Sequence, residues 1–176
     1  YGDEVLASPL TCTATNWPIL AAGAKIKWVD IDPTTCNISS LDLKEKAKSH
    51  HKAVVFVHWG GYPVDLDSLS FNDSSPILIE DCAHSFGAEY KKQLIGTHGN
   101  YCMFSFQAIK HFTTIDGGML IVPSSQYKRA KLLRWYGIDR ECPGKNDFRC
   151  ENDVEEWGYK FHMNDVNATV GIVQLK

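Results

Sequence analysis

The 176-residue chain is 44% hydrophobic and 22% charged, ordinary values for a globular chain with a sizeable core, either one domain or part of a larger one. A net charge of −3 without any basic run gives no electrostatic case for nucleic acid. No apolar stretch has the length of a membrane-spanning helix, so no membrane partner is expected, and the opening "YGDEVLASPL" does not read as a signal peptide.

Taken in chain order, apolar runs rich in β-branched and aromatic residues recur: "EVLASP", "KIKWVDI", "AVVFVHW", "PILIED", "YCMFSF" and "GGMLIVP". These predict strands. Between them lie helix-compatible pieces. "SSLDLKEKAKSH" opens on Ser39–Ser40 as an N-cap, and "SQYKRAKLLRWYG" carries apolar side chains at helical spacing from Ser125 to a stop at Gly137. Strands alternating with helices predict an α/β fold around a mostly parallel sheet, and continuous apolar runs such as "PILI" fit strands covered on both faces. Asp139–Glu156, "DRECPGKNDFRCENDVEE", reads as a long loop. The closing "NDVNATVGIVQLK" is helix-like, with Asn164 or Asp165 as cap. It has no terminal glycine, and the chain opens almost directly on a strand; both ends read as cut from something longer.

Six cysteines, Cys12, Cys36, Cys82, Cys102, Cys142 and Cys150, include no CxxC pair and read as reduced thiols of a cytoplasmic protein. Cys82, His84, His98 and Cys102 include metal-ligating types, but at spacings that fit no zinc motif. There is no GxGxxG and no GxxxxGK[ST], so neither a dinucleotide fold nor a P-loop has support.

In open α/β sheets, ligands bind beyond the carboxyl ends of the strands. The residues to inspect are therefore Asp81 to His84 after "PILIE", Ser105 to Lys110 after "YCMF", and His58 after "AVVFV". Taken singly, each has an ordinary explanation. Asp81 suits a helix cap or turn, Ser105 a strand-end turn, and Lys110 a solvated charge.

Together they carry a resemblance. "IEDCAHSFGAEYKKQLIGTHGNYCMFSFQAIKHFTTIDGGMLIV" resembles the pyridoxal-phosphate enzymes of fold type I. Within them it is similar to the DegT/StrS-like sugar-nucleotide aminotransferases. The likeness extends through "GDEVLASPLTCTATNWPILAAGAKIKWVDIDPTTCNI" at the start and "GYKFHMNDVNATVGIVQL" at the end. It implies a three-layer sandwich around a mostly parallel sheet, with residues 1–176 forming the large, cofactor-binding domain. It further implies that the N-terminal phosphate loop and the C-terminal small domain lie outside these residues.

The roles it implies have physical reasons. Asp81 would face the pyridine nitrogen of pyridoxal 5'-phosphate and keep it protonated, so that the ring accepts electrons. Lys110 would form the Schiff base and carry protons to and from the substrate carbon. Ser105 would bind the phosphate, with Gln107 on the same turn, and His84 would lie beside the ring. Gly117 and Gly118 are read as a structural turn.

Three positions depart from the family pattern. Cys12 stands where an aromatic residue commonly packs on the ring, and a thiol packs less well. Lys160 replaces the asparagine of a GYN segment that approaches the phosphate from the partner subunit of a homodimer; lysine serves there as a point charge. Ile115-Asp116-Gly117-Gly118 stands for GEGG.

The implied activity is transfer of an amino group, with glutamate as the expected amino-acid donor, to a nucleotide-linked keto sugar in polysaccharide biosynthesis. Two alternatives stand beside it: another fold type I activity such as a sulfur-removing lyase, and a catalytically silent binding fragment. Relatives that dehydrate sugars carry histidine in place of Lys110.

Overall fold

The computed structural model describes residues 1–71, 76–141 and 154–176. Its elements in chain order are β1 (Glu4–Ala7), α1 (Thr13–Ala21), β2 (Lys25–Trp28), α2 (Ser40–Lys46), β3 (Ala53–Val57) and β4 (Ile77–Asp81). These are followed by β5 (Glu89–Tyr90), β6 (Gln93–Leu94), β7 (Tyr101–Ser105), β8 (Gly118–Ile121), α3 (Tyr127–Leu133) and α4 (Asp165–Gln174). Six strands form one sheet in the order β2-β1-β3-β4-β7-β8. All neighbours pair in parallel except β8, which runs antiparallel to β7. All six predicted strand runs are present in it.

Alternation along the strands sorts the core into two layers. Val5, Ala7, Ala53 and Val55 project to one face and pack with Ile19 of α1. Leu6, Val54 and Phe56 project to the other and pack with Leu43 of α2. All five residues of β3 are buried, as a central strand covered on both faces requires. The result is helix, sheet, helix.

The predicted cap of α2 is present: Ser39 Oγ accepts from the Asp42 amide at 3.3 Å, and Lys46 pairs with Asp42 one turn earlier. The cap of α4 is Asn164, whose Oδ1 accepts from the Asn167 amide at 2.9 Å. The helix expected over Ser125–Gly137 is shorter. Past Leu133 its carbonyls are taken by a later segment: Tyr159 N–H donates to Leu133 O and Phe161 N–H to Arg134 O. Tyr136 and Gly137 then adopt positive φ, which ends the helix. Most of the loop expected over Asp139–Glu156, with Cys142 and Cys150, lies outside the described residues.

Candidate active site

The parallel strands deliver their carboxyl ends to one edge of the sheet. Register fixes what each presents there. Ile79 and Asp81 pair with Val55 and Val57 of β3, and Asp81 pairs with Met103 of β7, so Asp81 and Ser105 project to the α1 face. Glu80 and Cys82 project to the α2 face. A one-residue slip would exchange the two carboxylates.

Asp81 is held by two donors. Its Oδ1 accepts from the Ala83 amide at 3.0 Å, and its Oδ2 accepts from Thr15 Oγ1 of α1 at 2.6 Å. The turn that follows is packed against the loop after β3, where Gly61 has φ +84 and a Cβ would stand 2.6 Å from the His84 carbonyl oxygen. Only glycine fits there. His84 is part-buried, edge-on to Trp59 at 6.0 Å, and its Nδ1 is buried without a hydrogen-bond partner. Burial lowers the His84 pKa, the Lys110 charge lowers it further, and Asp81 opposes them. One imidazole therefore senses both Asp81 and Lys110.

Lys110 is part-buried on a loop, residues 106–117, pinned at its base. Phe106 N–H donates to Gly117 O at 2.8 Å, and Thr114 N–H and Thr113 Oγ1 donate to Phe106 O. Two residues past the lysine, Phe112 stacks on Phe86 at 4.7 Å and meets Phe106 edge-on at 4.8 Å. His111 Nε2 donates to Phe86 O at 2.6 Å, tying this loop to the turn after β4. Among the described residues Lys110 makes no ion pair. Gly118 lets β8 approach β7, since a Cβ there would stand 2.6 Å from Phe104 O.

The remaining sequence-predicted residues are less uniformly placed. Gln107 is exposed, and its Oε1 accepts from the Ile109 amide, shaping the lysine turn. Cys12 is exposed at the N-cap of α1, one turn before Thr15. Lys160 is exposed and pairs with Trp135 just past the end of α3, and it makes no hydrogen bond or ion pair with Asp81 or Lys110. Cys82 and Cys102 meet in a buried cluster, while His98 packs edge-on to Tyr90, so these do not converge with His84 on one centre. The hydrogen bond with Cys102 and burial push the Cys82 thiol far up, leaving a protonated, unreactive sulfur.

His58 has a structural part. Its Nδ1 accepts from the Val64 amide at 3.0 Å, so the ring proton sits on Nε2 and donates to Glu80 at 2.8 Å. Glu80 also accepts from Asn100 Nδ2 at 2.7 Å. Burial pushes the Glu80 pKa up, but these two hydrogen bonds outweigh it and hold the carboxyl below its usual range. His58, Glu80 and Cys82 are close enough to share a metal, but each nitrogen of His58 is already committed.

Sequence reasoning missed Thr15 and the Phe86–Phe106–Phe112 support. The aromatic residues carried a signal, since they flank His84 and Lys110 in the chain; Thr15 carried none until α1 was placed over β4.

A mostly parallel sheet with helices on both faces, its strand-end residues gathered at one edge, is an α/β architecture shared with fold type I aminotransferases. The chain belongs to the DegT/DnrJ/EryC1/StrS aminotransferase family, whose model matches residues 1–176. It is similar to AtS13 from Actinomadura melliaura (48% identity, TM-score 0.89) and to the sugar aminotransferase CalS13 from Micromonospora echinospora (43%, TM-score 0.88), covering 98% of this chain and 48% of each of theirs. It is also 34% identical to the spore coat polysaccharide biosynthesis protein SpsC of Bacillus subtilis, over 99% of this chain and 46% of SpsC. The chain thus spans about half the length of the curated relatives it matches. A Streptococcus pneumoniae protein described as a sugar aminotransferase, 28% identical over 99% of this chain and 48–50% of its own, was solved in pyridoxal-phosphate and pyridoxamine-phosphate forms (TM-scores 0.86 and 0.88).

The residues present fit such a cofactor. A fixed carboxylate, an amine without an ion-pair partner among the described residues, and a buried imidazole nitrogen without a hydrogen bond surround one strand edge. These are the groups that a ring with a basic nitrogen and an aldehyde would engage.

Proposed function

We propose that residues 1–176 form the cofactor-binding large domain of a sugar aminotransferase that acts on a nucleotide-linked keto sugar, with glutamate as amino donor. The observation that carries this reading is the carboxylate of Asp81, held by Thr15 and the Ala83 amide at the carboxyl edge of the sheet, with the loop of Lys110 tied through His111 to the turn that follows it. The family match and the resemblance to the sugar aminotransferase CalS13 support a sugar as the substrate.

When bound, pyridoxal phosphate supplies an electron sink for charge developing at the substrate carbon. The chain's own residues do the rest. Lys110 Nζ would hold the cofactor covalently and move the proton at the reacting carbon, a role open to a part-buried amine. Asp81 would keep a proton on the ring nitrogen. Ser105 would donate to the phosphate, with Gln107 fixing the turn between them. His84, whose pKa burial and the Lys110 charge lower, would lie against the ring, and Cys12 would border it from the start of α1.

We further propose a homodimer in which Lys160 reaches the neighbouring phosphate. Trp157, Tyr159 and Phe161, which flank Lys160, are 72%, 51% and 72% exposed, the kind of aromatic surface that interfaces cover.

The test is a titration with pyridoxal phosphate followed by visible absorbance. The parent develops a band of covalently bound cofactor and Lys110→Ala does not. An equal band in both proteins contradicts the assignment.

A further inference from the structure

We propose that Thr15, supported by Thr11, is the positioning residue for Asp81, orienting its carboxylate and keeping it an acceptor toward the ring nitrogen. The inference rests on the reading of Asp81 given above. It begins with the direction of the hydrogen bonds. Asp81 Oδ2 can only accept, so the Thr15 hydroxyl donates its single proton to it, at 2.6 Å. In the contact between Thr11 Oγ1 and Thr15 Oγ1, also 2.6 Å, the donor must then be Thr11. Two hydroxyls therefore donate in series, Thr11 to Thr15 and Thr15 to one carboxylate oxygen, and the first polarises the second.

Where these groups lie argues against a purely incidental contact. A helical threonine commonly satisfies its hydroxyl on a carbonyl one turn back. Thr15, only 4% exposed, instead reaches 66 residues along the chain to a strand end. The start of α1 is itself fixed, because Asn16 Nδ2 donates to Ser8 O just past β1. The position of Thr15 is thus set by β1 and α1, and that of Asp81 by β4 and the Ala83 amide. The carboxylate is held from two sides, with one donor on each oxygen. Each oxygen keeps a further lone pair for a ligand.

The rival account is a strut that ties α1 to β4 and has no influence on the ligand. The two differ in what a change at Thr15 does to the ring nitrogen. The experiment loads the protein with ¹⁵N-labelled pyridoxal phosphate and reads the ring-nitrogen chemical shift, which separates protonated from unprotonated pyridine. The thermal midpoint and turnover are measured beside it. The nearly isosteric Thr15→Val moves the signal toward the unprotonated position and lowers kcat about tenfold, with KM for the amino donor unchanged within about twofold. Thr15→Ser keeps the hydroxyl and restores the parent signal. Thr11→Val leaves the inner bond and moves the signal less, in the same direction.

A Thr15→Val protein with the parent's nitrogen signal, beside an Asp81→Asn protein whose signal moves, overturns the role of Thr15 and leaves Asp81 in place. If Asp81→Asn leaves the signal unmoved as well, the reading of Asp81 itself falls and this inference with it. If Thr15→Val does not fold, Thr11→Val decides, and an unchanged nitrogen signal in that variant overturns the proposal.

Discussion

Glu80 and Asp81 are adjacent acids that serve opposite faces of β4. Glu80 is wholly buried between His58 and Asn100; Asp81 meets Thr15 and the Ala83 amide at the strand end. The family resemblance singles out Asp81 and says nothing of Glu80. What separates the two is the period-2 alternation of the strand, which becomes decisive only once pairing with β3 fixes the register. Asp81→Asn should leave the thermal midpoint near that of the parent and lower turnover by at least ~100-fold, about 3 kcal/mol for a lost charged hydrogen bond. Near-normal turnover would make Asp81 a turn residue only. His58 followed the same logic in reverse. Its strand-end position was suggestive in sequence, but its ring turns to the buried face and both nitrogens are used there.

At the scale of elements, the strands were legible because each is a continuous apolar run bounded by turn residues. The cap of α2 was legible because a serine oxygen needs only local geometry. The early end of α3 was not, since the groups that stop it arrive from Tyr159 and Phe161, more than twenty residues away. Nor was the β5–β6 hairpin, whose turn residues Lys91 and Lys92 take positive φ without the Asn-Gly signal that usually marks such turns. The join between β3 and β4 depends on the His58–Glu80–Asn100 network, and this gives a pH prediction. Glu80 has a folded pKa below its unfolded value. The unfolded chain therefore binds the proton first as pH falls. The stabilisation is fully present above the unfolded value of about 4.3 and is lost as pH drops through the folded value. Urea midpoints taken from about pH 6 to about pH 3.5 should fall steeply for the parent. Glu80→Gln should start lower, by about 3 kcal/mol for a broken buried pair, and show a shallower fall. Parallel curves would remove Glu80 from the account.

At the scale of the molecule, the chain covers about half of its relatives' length, and much apolar surface is open. Trp157, Phe161, Val166 and Leu175 are each at least two-thirds exposed. Single exposed apolar residues are ordinary, whereas a run of aromatic ones beside Lys160 is a surface suited to the proposed dimer contact. Light scattering across a dilution series should show a dimer, and Lys160→Ala should bind pyridoxal phosphate more weakly than the parent. A monomer at every concentration, or equal affinity in the variant, would remove the shared site. The fold class could be read from the chain alone, because alternating strand and helix runs are a one-dimensional property, whereas the pairing of Asp81 with Lys110 is implied by the family resemblance. The support beneath them, from Thr15 to the stacked Phe86 and Phe112, required the third dimension.

The central claim is that Lys110 is the amine that holds the cofactor. Borohydride reduction of the pyridoxal-phosphate-loaded protein, followed by peptide mapping, tests it most directly. The account predicts one reduced pyridoxyl label, on Lys110. A label on another lysine, or none at saturating cofactor, would contradict it.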